Sequence, residues 1–207
     1  MSQAMNAHIV LIDNFDSFTY NLVDQFRSLG YPVKIYRNSL SAEQIEQAVS
    51  DLTNPVVVLS PGPGAPSEAG CMPALIQKLK GKVPMIGICL GQQAITEAYG
   101  GVVAGAGEIV HGKASQMTHN AHAVFGDIES PLTIARYHSL VATKVPDSLD
   151  VIADVEGLVM AVVNDADRVV GFQFHPESIL TTKGADLLTN TINWATQPRR
   201  WTTRQGE

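Results

Sequence analysis

The sequence predicts an α/β fold with a mostly parallel central sheet, helices on both faces and additional antiparallel strands in the second half. Short apolar runs alternate with amphipathic segments up to Gly100, a pattern typical of a parallel sheet covered by helices. After Gly101 the apolar runs are short and closely spaced, which predicts hairpins. A chain of 207 residues can form one full core, so we expect a single domain over residues 1–196 and a flexible tail over 197–207.

Each element is indicated by its own local pattern. Strands are predicted at 8–13, 33–36, 55–60 and 83–89, and helices at 17–30, 41–52, 72–80 and 91–99. The first helix ends at Gly30, and the second opens on Ser41 with Gln44 three positions later, a capping-box pattern. In the second half, the runs LTIARYH, VIADV, LVMAVV and VVGFQF predict strands, and a last helix is expected from about Lys183 to Ala195.

The composition argues against several classes of function. The net charge is −6, and the only basic cluster is Arg199, Arg200 and Arg204, so we expect no binding to nucleic acid or to a membrane. Two cysteines cannot form a disulfide framework, and no zinc-like spacing is present, which favours a reducing, cytoplasmic setting. The N-terminus lacks a signal-peptide pattern, and no apolar run approaches the ~20 residues of a membrane helix.

Cys89 stands in the stretch PMIGICLGQQA, between two glycines and directly after a predicted buried strand. The pattern G-x-C-x-G is that of a nucleophile elbow, a sharp strand-to-helix turn that needs small residues two positions either side of its apex. Gly87 and Gly91 meet that need, and the N-terminus of the following helix favours a thiolate. A structural cysteine at the end of a buried strand explains the same five residues equally well.

A thiolate nucleophile needs a base and a group that orients the base, and the run GFQFHPES could supply both. His175 follows an apolar strand, and Glu177 stands two positions later, where an extended or turn geometry points both side chains the same way. A surface His–Glu pair is the plainer interpretation. The apolar FQF run that precedes the pair makes this a poor place for one.

Three loops should meet at one edge of the sheet, because active sites of open α/β sheets lie at the carboxyl ends of parallel strands. These loops are residues 13–21, 60–70 and 89–93. The SPGPG stretch of the second loop exposes backbone N–H groups that could hold a negative oxygen, although a tight turn explains it as well. Cys71 is interpreted as a packing residue, whereas His111 and His138 could be core residues or line a site.

Taken together, GICLGQQ, SPGPG and FHPES resemble the class I, or triad-type, glutamine amidotransferases. The longer stretches DNFDSFTYNL, SPGPGAPSEAGCMP, HGKAS, RYHSLV and FQFHPESILTTKG are similar to the glutaminase subunits of anthranilate synthase, and also to those of aminodeoxychorismate synthase. The resemblance spans residues 8–195, with the motifs in the same order and spacing. One departure is Gln92, where the family commonly has His; we assign it no catalytic role.

The resemblance implies a role for each motif. Cys89 would be the nucleophile, His175 the general base and acid, and Glu177 the residue that orients His175. Gly62 and Leu90 would supply the oxyanion-hole N–H groups. Residues implied to hold L-glutamine are Gly62, Pro63, Gly64, Gln93, Ser139 and Leu140. The family uses no metal or cofactor in this subunit, and Mg²⁺ is expected only in a chorismate-using synthase subunit, component I, which receives the ammonia.

The charged fraction of 16% is low, which indicates either more buried surface or a surface that another subunit covers. The NFDSF and HGKAS loops fit the second interpretation. The predicted contacts are Asn14, Asp16, Ser17, Phe18 and Tyr20. The alternative is that Ser17 or Asp16 merely caps the helix that follows.

Three other functions stay open. The nearest is the aminodeoxychorismate branch, alone or shared with the anthranilate branch. A stand-alone γ-glutamyl hydrolase or cysteine peptidase is more distant, because it needs no ammonia-accepting partner. A thiol sensor without turnover is the third, but the HPE run argues against it, since a sensor needs no aligned triad.

Overall fold

The computed structural model describes residues 6–198, which form one mixed sheet with helices on both faces. The strands are β1 His8–Asp13, β2 Val33–Arg37, β3 Pro55–Leu59, β4 Met85–Ile88, β5 Val102–His119, β6 Leu132–Lys144, β7 Asp150–Val155, β8 Leu158–Asn164 and β9 Val169–Phe172. The helices are α1 Thr19–Ser28, α2 Ala42–Ser50, α3 Met72–Leu79, α4 Leu90–Ala98 and α5 Gly184–Ala195. The predicted fold class is confirmed. The cluster Arg199, Arg200 and Arg204, with most of the predicted tail, lies outside the described residues.

The strands of the first half are continuous apolar runs because both faces of the sheet are covered. In β1, Ile9 and Leu11 belong to the core shared with α1 and α5, whereas Val10 and Ile12 belong to the core shared with α2, α3 and α4. Within residues 6–198, no helix is long and apolar enough to cross a membrane.

The predicted capping box at the start of α2 is present. The Gln44 backbone N–H donates to the Ser41 hydroxyl at 3.1 Å, and the Ser41 backbone N–H donates to the Gln44 side chain at 3.0 Å. Two N–H groups at the helix N-terminus that would otherwise lack partners are thereby satisfied.

The sheet order β2-β1-β3-β4-β9-β8-β7-β5-β6 decides where a site can form. The first five strands of that order are parallel, although β9 comes from the far end of the chain. The register pairs Gly87 with Gly171 and Ile88 with Phe172. The carboxyl ends of β4 and β9 therefore lie side by side, and each is followed by one of the predicted catalytic motifs.

The long strand β5 was not predicted from the sequence. It runs for 18 residues, but only Val110 and Met117 are buried, so its sequence carries no regular apolar alternation. It pairs with β6 along most of its length, with register shifts, and reaches β7 only through Thr118 and His119. This antiparallel half brings β6 beside the carboxyl ends of β4 and β9.

Candidate active site

Cys89 lies between β4 and α4 in a backbone conformation that L-residues rarely adopt, with φ +52° and ψ −102°. Both flanking glycines are required sterically. A Cβ on Gly87 would lie 2.5 Å from the carbonyl carbon of Gly91, and a Cβ on Gly91 would lie 2.3 Å from the carbonyl oxygen of Leu59. The turn therefore has the strained geometry of a nucleophile elbow, with Cys89 at its apex.

His175 and Glu177 form a closed pair just beyond β9. Nδ1 of His175 lies 2.5 Å from Oε1 of Glu177, and the two side chains are 1% and 0% exposed. Contacts of this length between an imidazole and a carboxylate fix the ring orientation and favour a proton on Nδ1. The pair is thus buried beside Cys89 and is not the surface dipeptide that was its alternative.

The imidazole of His175 is also held by its backbone and by two aromatic rings. The His175 N–H donates to the Ala135 carbonyl at 3.0 Å, and the Thr181 hydroxyl donates to the His175 carbonyl at 2.6 Å. The ring centroids of Phe18 and Tyr137 each lie 5.2 Å from that of the imidazole. These contacts leave the ring few alternative positions.

Two opposing effects set the pKa of His175. Burial alone lowers the pKa, but hydrogen bonds and charge interactions with Cys89 and Glu177 raise it above its usual value. The second ring nitrogen, Nε2, is buried and has no well-aligned hydrogen-bond partner among the described residues. The site therefore favours an imidazolium whose Nε2 proton is available to a reacting group beside Cys89.

The SPGPG loop after β3 packs against the start of α4. A Cβ on Gly62 would lie 2.7 Å from a methyl carbon of Leu90 and 2.6 Å from the Cβ of Asn14, so only glycine fits. Asn14 braces the loop from inside: its amide nitrogen donates to the Ser60 carbonyl at 2.8 Å, and its amide oxygen accepts from Asn38 at 3.0 Å. Gly62 and Leu90, the predicted oxyanion pair, are therefore neighbours.

The residues predicted to bind glutamine fall into two groups. Gln93 and Leu140 meet in space, because Nε2 of Gln93 donates to the Leu140 carbonyl at 3.1 Å. Pro63, Gly64 and Ser139 are exposed. The sixth residue of the set, Gly62, is partly buried in the SPGPG loop.

Sequence reasoning missed Gln173, whose Nε2 lies 3.6 Å from the Cys89 sulfur. The residue is fully buried, and its Oε1 accepts from Gln93 at 3.1 Å. A signal was present in the FQF run, where this polar residue alternates with two phenylalanines and shares the period of His175.

Arg136 was also missed, and it decides the state of His138. The Arg136 side chain is 2% exposed; its Nε donates to Nε2 of His138 at 3.1 Å, and its guanidinium lies 3.3 Å from Glu108. Burial first, and then the Arg136 charge, lower the pKa of His138 to about 4. His138 is therefore a neutral, fully bonded side chain at the edge of the site.

The five predicted partner contacts differ in accessibility. Ser17 and Tyr20 are exposed, Asp16 and Phe18 are partly buried, and Asn14 is buried and faces inward. Phe18 is the N-cap of α1 and makes no side-chain capping bond, while the Ser17 hydroxyl bonds to Asp16 at 3.5 Å. The alternative in which Ser17 or Asp16 caps the helix is therefore wrong.

Two further groups lie away from this chemistry. Cys71 is a free, half-buried thiol, and burial raises its pKa. Gln92 is fully buried, with Nε2 at 3.4 Å from the Thr96 hydroxyl and no partner for Oε1 among the described residues. Over the part of the chain that the structure describes, no group of three or more His, Cys, Asp or Glu is placed to hold a metal ion.

Comparison with known proteins agrees with this geometry. The sequence pattern of the glutamine amidotransferase class-I family matches residues 10–194. Anthranilate synthase component 2 of Vibrio parahaemolyticus is 73% identical over 189 residues, 91% of this chain and 96% of that protein. The Haemophilus influenzae protein of the same name is 49% identical over 91% of this chain and 97% of its own. A glutamine amidotransferase structure from Thermotoga maritima, 15% identical, shares the fold with a TM-score of 0.72 over 93% of this chain and 99% of its own.

Proposed function

The chain belongs to the class I glutamine amidotransferase family, and from that premise we propose that it is the glutaminase component of an anthranilate synthase. In this role it releases ammonia from L-glutamine and delivers it to a chorismate-using synthase subunit. The observation that carries the proposal is the strained Cys89 turn beside the buried His175–Glu177 pair. The names of relatives at 73% and 49% identity support the anthranilate branch.

The first half of the reaction forms a thioester. The Cys89 thiolate attacks the carboxamide carbon of glutamine, a C–S bond forms, and the C=O electron pair moves onto oxygen. Backbone N–H groups of Gly62 and Leu90 stabilise that oxyanion. Protonated His175 gives its proton to the amide nitrogen, the C–N bond breaks, and ammonia leaves.

The second half restores the thiol. His175, now neutral, takes a proton from water as the water oxygen attacks the thioester carbon. The C–S bond breaks, glutamate forms, and the proton returns to the Cys89–His175 pair. Glu177 orients the imidazole in both halves. Gly64, Gln93, Ser139 and Leu140, with Pro63, hold the glutamine.

The surface that receives the synthase subunit lies around α1 and the loop after β9. Tyr20 is 65% exposed and Ile179 is 95% exposed, and Ile179 shares a groove with α1. Ring contacts from Phe18 to Tyr137 and on to His111 extend this surface toward Ile109, which is 85% exposed. Exposed apolar side chains beside an active site favour a protein partner.

Asp16 and Ser17 complete this partner surface, and Asn14 supports it from inside. We place the complex in the cytoplasm. Any Mg²⁺ belongs to the synthase subunit, since the proposed steps of this chain need only its own side chains and backbone.

The proposal is tested by measuring product formation in the assembled complex with glutamine or with ammonium as the nitrogen source. With its synthase subunit, the parent protein should make anthranilate from chorismate with either glutamine or ammonium. The Cys89→Ser variant should lose only the glutamine-dependent reaction, and Cys71→Ser serves as the matched thiol control. Glutamine-dependent anthranilate formation by Cys89→Ser would contradict the proposal.

Two other outcomes identify the remaining alternatives. Formation of aminodeoxychorismate, alone or together with anthranilate, assigns the chain to that branch or to both. Glutamine hydrolysis that never responds to an added synthase subunit indicates a stand-alone hydrolase.

A further inference from the structure

A continuous series of hydrogen bonds connects a buried arginine to the Cys89 sulfur. It runs from Arg136 through His138, the Leu140 carbonyl, Gln93 and Gln173 to Cys89, with successive heavy-atom distances of 3.1, 3.1, 3.1, 3.1 and 3.6 Å. We call this series the Arg136–Cys89 chain. Two of its members, Arg136 and Gln173, had no role in the sequence analysis.

The direction of the first links follows from Arg136. A guanidinium can only donate, so Nε2 of His138 must accept from Arg136. The proton of the neutral imidazole is then on Nδ1, which donates to the Leu140 carbonyl at 3.1 Å. Protonation of His138 would set a second N–H against the guanidinium, in agreement with the lowered pKa of this residue.

The remaining links are directed by the Leu140 carbonyl, which can only accept. The Leu140 carbonyl also accepts from Nε2 of Gln93, whose second hydrogen goes to Oε1 of Gln173. With the Gln173 amide reversed, two NH₂ groups would face each other, so Nε2 of Gln173 must point to the Cys89 sulfur. The acceptor-only Leu140 carbonyl therefore orients Gln93 and Gln173 so that an N–H is directed at the nucleophile.

We propose that Gln173 is a catalytic residue whose N–H stabilises the Cys89 thiolate, and that Arg136 and His138 are positioning residues that hold the Leu140 carbonyl where it orients Gln93. A hydrogen bond to an ionised acceptor is stronger than one to a neutral acceptor, so this contact favours the thiolate over the thiol. The thiol has its own acceptor in the Tyr137 carbonyl, 3.7 Å from the sulfur. The Tyr137 carbonyl therefore favours the thiol, whereas the Gln173 N–H favours the thiolate.

The titratable and charged groups around Cys89 come from two elements. His175 and Glu177 follow β9, and Arg136, Tyr137 and His138 belong to β6. The Gln173→Leu substitution adds no charged or titratable group to this set. Its effect on Cys89 reactivity can therefore be separated from theirs.

The test measures alkylation of Cys89 by iodoacetamide between about pH 5 and 9 in a Cys71→Ser background, which leaves one thiol. Gln173→Glu replaces the terminal N–H by a carboxylate oxygen and should slow alkylation at pH 7 about tenfold. Gln173→Leu removes the N–H without adding charge and should slow it about threefold. Both decreases in alkylation rate should become smaller at alkaline pH, where the thiolate forms without a stabilising hydrogen bond.

The positioning role is tested at the other end. Arg136→Met removes the donor that holds His138 against the Leu140 carbonyl and should slow Cys89 alkylation at pH 7 about threefold, while Arg136→Lys, which keeps a donor, should recover most of the rate. Thr191→Val is the control for stability alone, because its buried hydroxyl bonds to the Leu187 carbonyl at 2.7 Å on α5, outside the chain. It should lower the melting temperature and leave the alkylation profile unchanged.

If the folded Gln173→Leu or Gln173→Glu variant is alkylated at Cys89 with the same pH dependence as the parent protein, the proposed role of Gln173 is wrong. If Arg136→Met lowers the melting temperature but leaves the pH dependence of Cys89 alkylation unchanged, the positioning role of Arg136 is wrong. The inference rests on the proposed nucleophile, but alkylation needs no glutamine. Its failure is therefore distinct from a failure of the glutaminase proposal, which the Cys89→Ser assay reports.

Discussion

The His175 imidazole and the Glu177 carboxylate are 2.5 Å apart in a site closed to solvent, although neither residue belongs to a helix or strand. Their positions depend on β9, which ends beside β4 and brings the pair next to Cys89. The orientation and the charge of His175 therefore both depend on Glu177.

Replacing Glu177 by Gln keeps the shape of this side chain and removes its charge. We expect kcat for glutamine hydrolysis to fall about 10²- to 10⁴-fold with little change in KM, because the imidazolium loses its charge partner. The pKa of His175 is held up partly by Glu177, so the alkaline limb of the pH profile should move to lower pH. Steady-state kinetics across pH checks both, with exposed Glu129→Gln as the control. A Glu177→Gln variant with the kcat of the parent protein would contradict the role proposed for Glu177.

The elbow glycines offer a steric prediction with a matched control. Gly91→Ala would place a methyl group 2.3 Å from the Leu59 carbonyl oxygen, whereas a Cβ on Gly105 meets nothing within 4 Å. We expect Gly91→Ala to lower the free energy of unfolding by more than about 3 kcal/mol or to prevent folding, and Gly105→Ala to change it by less than about 0.5 kcal/mol. Urea unfolding measures both. Equal stability of the two variants would show that the turn can relax.

The sequence was sufficient for the first half of the fold and for the contact between His175 and Glu177. Continuous apolar runs separated by amphipathic segments determine a parallel sheet, and the capping box at Ser41 is purely local. His175 and Glu177 could be found because they are two positions apart. Strand β5 could not, because its 18 residues bury only two side chains and lack a period.

The Arg136–Cys89 chain shows why the rest of the site was out of reach. Its members come from α4, β6 and the segment after β9, and their contacts exist only once β9 has inserted beside β4. Nothing local in RYHSLV indicates that Arg136 is buried rather than solvated. The burial of a charged side chain is a property of the assembled sheet.

His138 predicts a specific pH dependence of stability. Its pKa is about 4 in the folded chain and about 6.5 when unfolded, so the unfolded state binds the extra proton between these values. The stabilisation is therefore fully present above about pH 6.5 and is lost as the pH falls toward 4, by at most about 3 kcal/mol. Relative to the parent, His138→Gln should lose less stability across this window. If the unfolding free energies of the parent and of His138→Gln fall by the same amount between pH 7 and pH 4, this prediction is wrong.

Two serines next to helices should respond differently to the same substitution. Ser41 caps α2 and exchanges two bonds with Gln44, so Ser41→Ala should lower the free energy of unfolding by about 1 kcal/mol. Ser17 is exposed and caps nothing at α1, so Ser17→Ala should change it by less than about 0.5 kcal/mol. Thermal unfolding compares them, and a larger loss for Ser17→Ala would restore the capping interpretation.

The last prediction concerns the proposed partner surface. Tyr20 and Ile179 are exposed apolar side chains of the proposed partner surface, and truncating a central aromatic or aliphatic anchor typically weakens a protein interface by more than about 1 kcal/mol. We expect Tyr20→Ser and Ile179→Ser each to weaken binding of the synthase subunit about tenfold, measured by titration calorimetry, without changing the melting temperature. Val151→Ser, at an exposed residue of β7, is the matched control and should bind normally. Normal binding by the Tyr20 and Ile179 variants would contradict this placement of the interface, because serine at these two positions removes two exposed apolar side chains of the proposed surface.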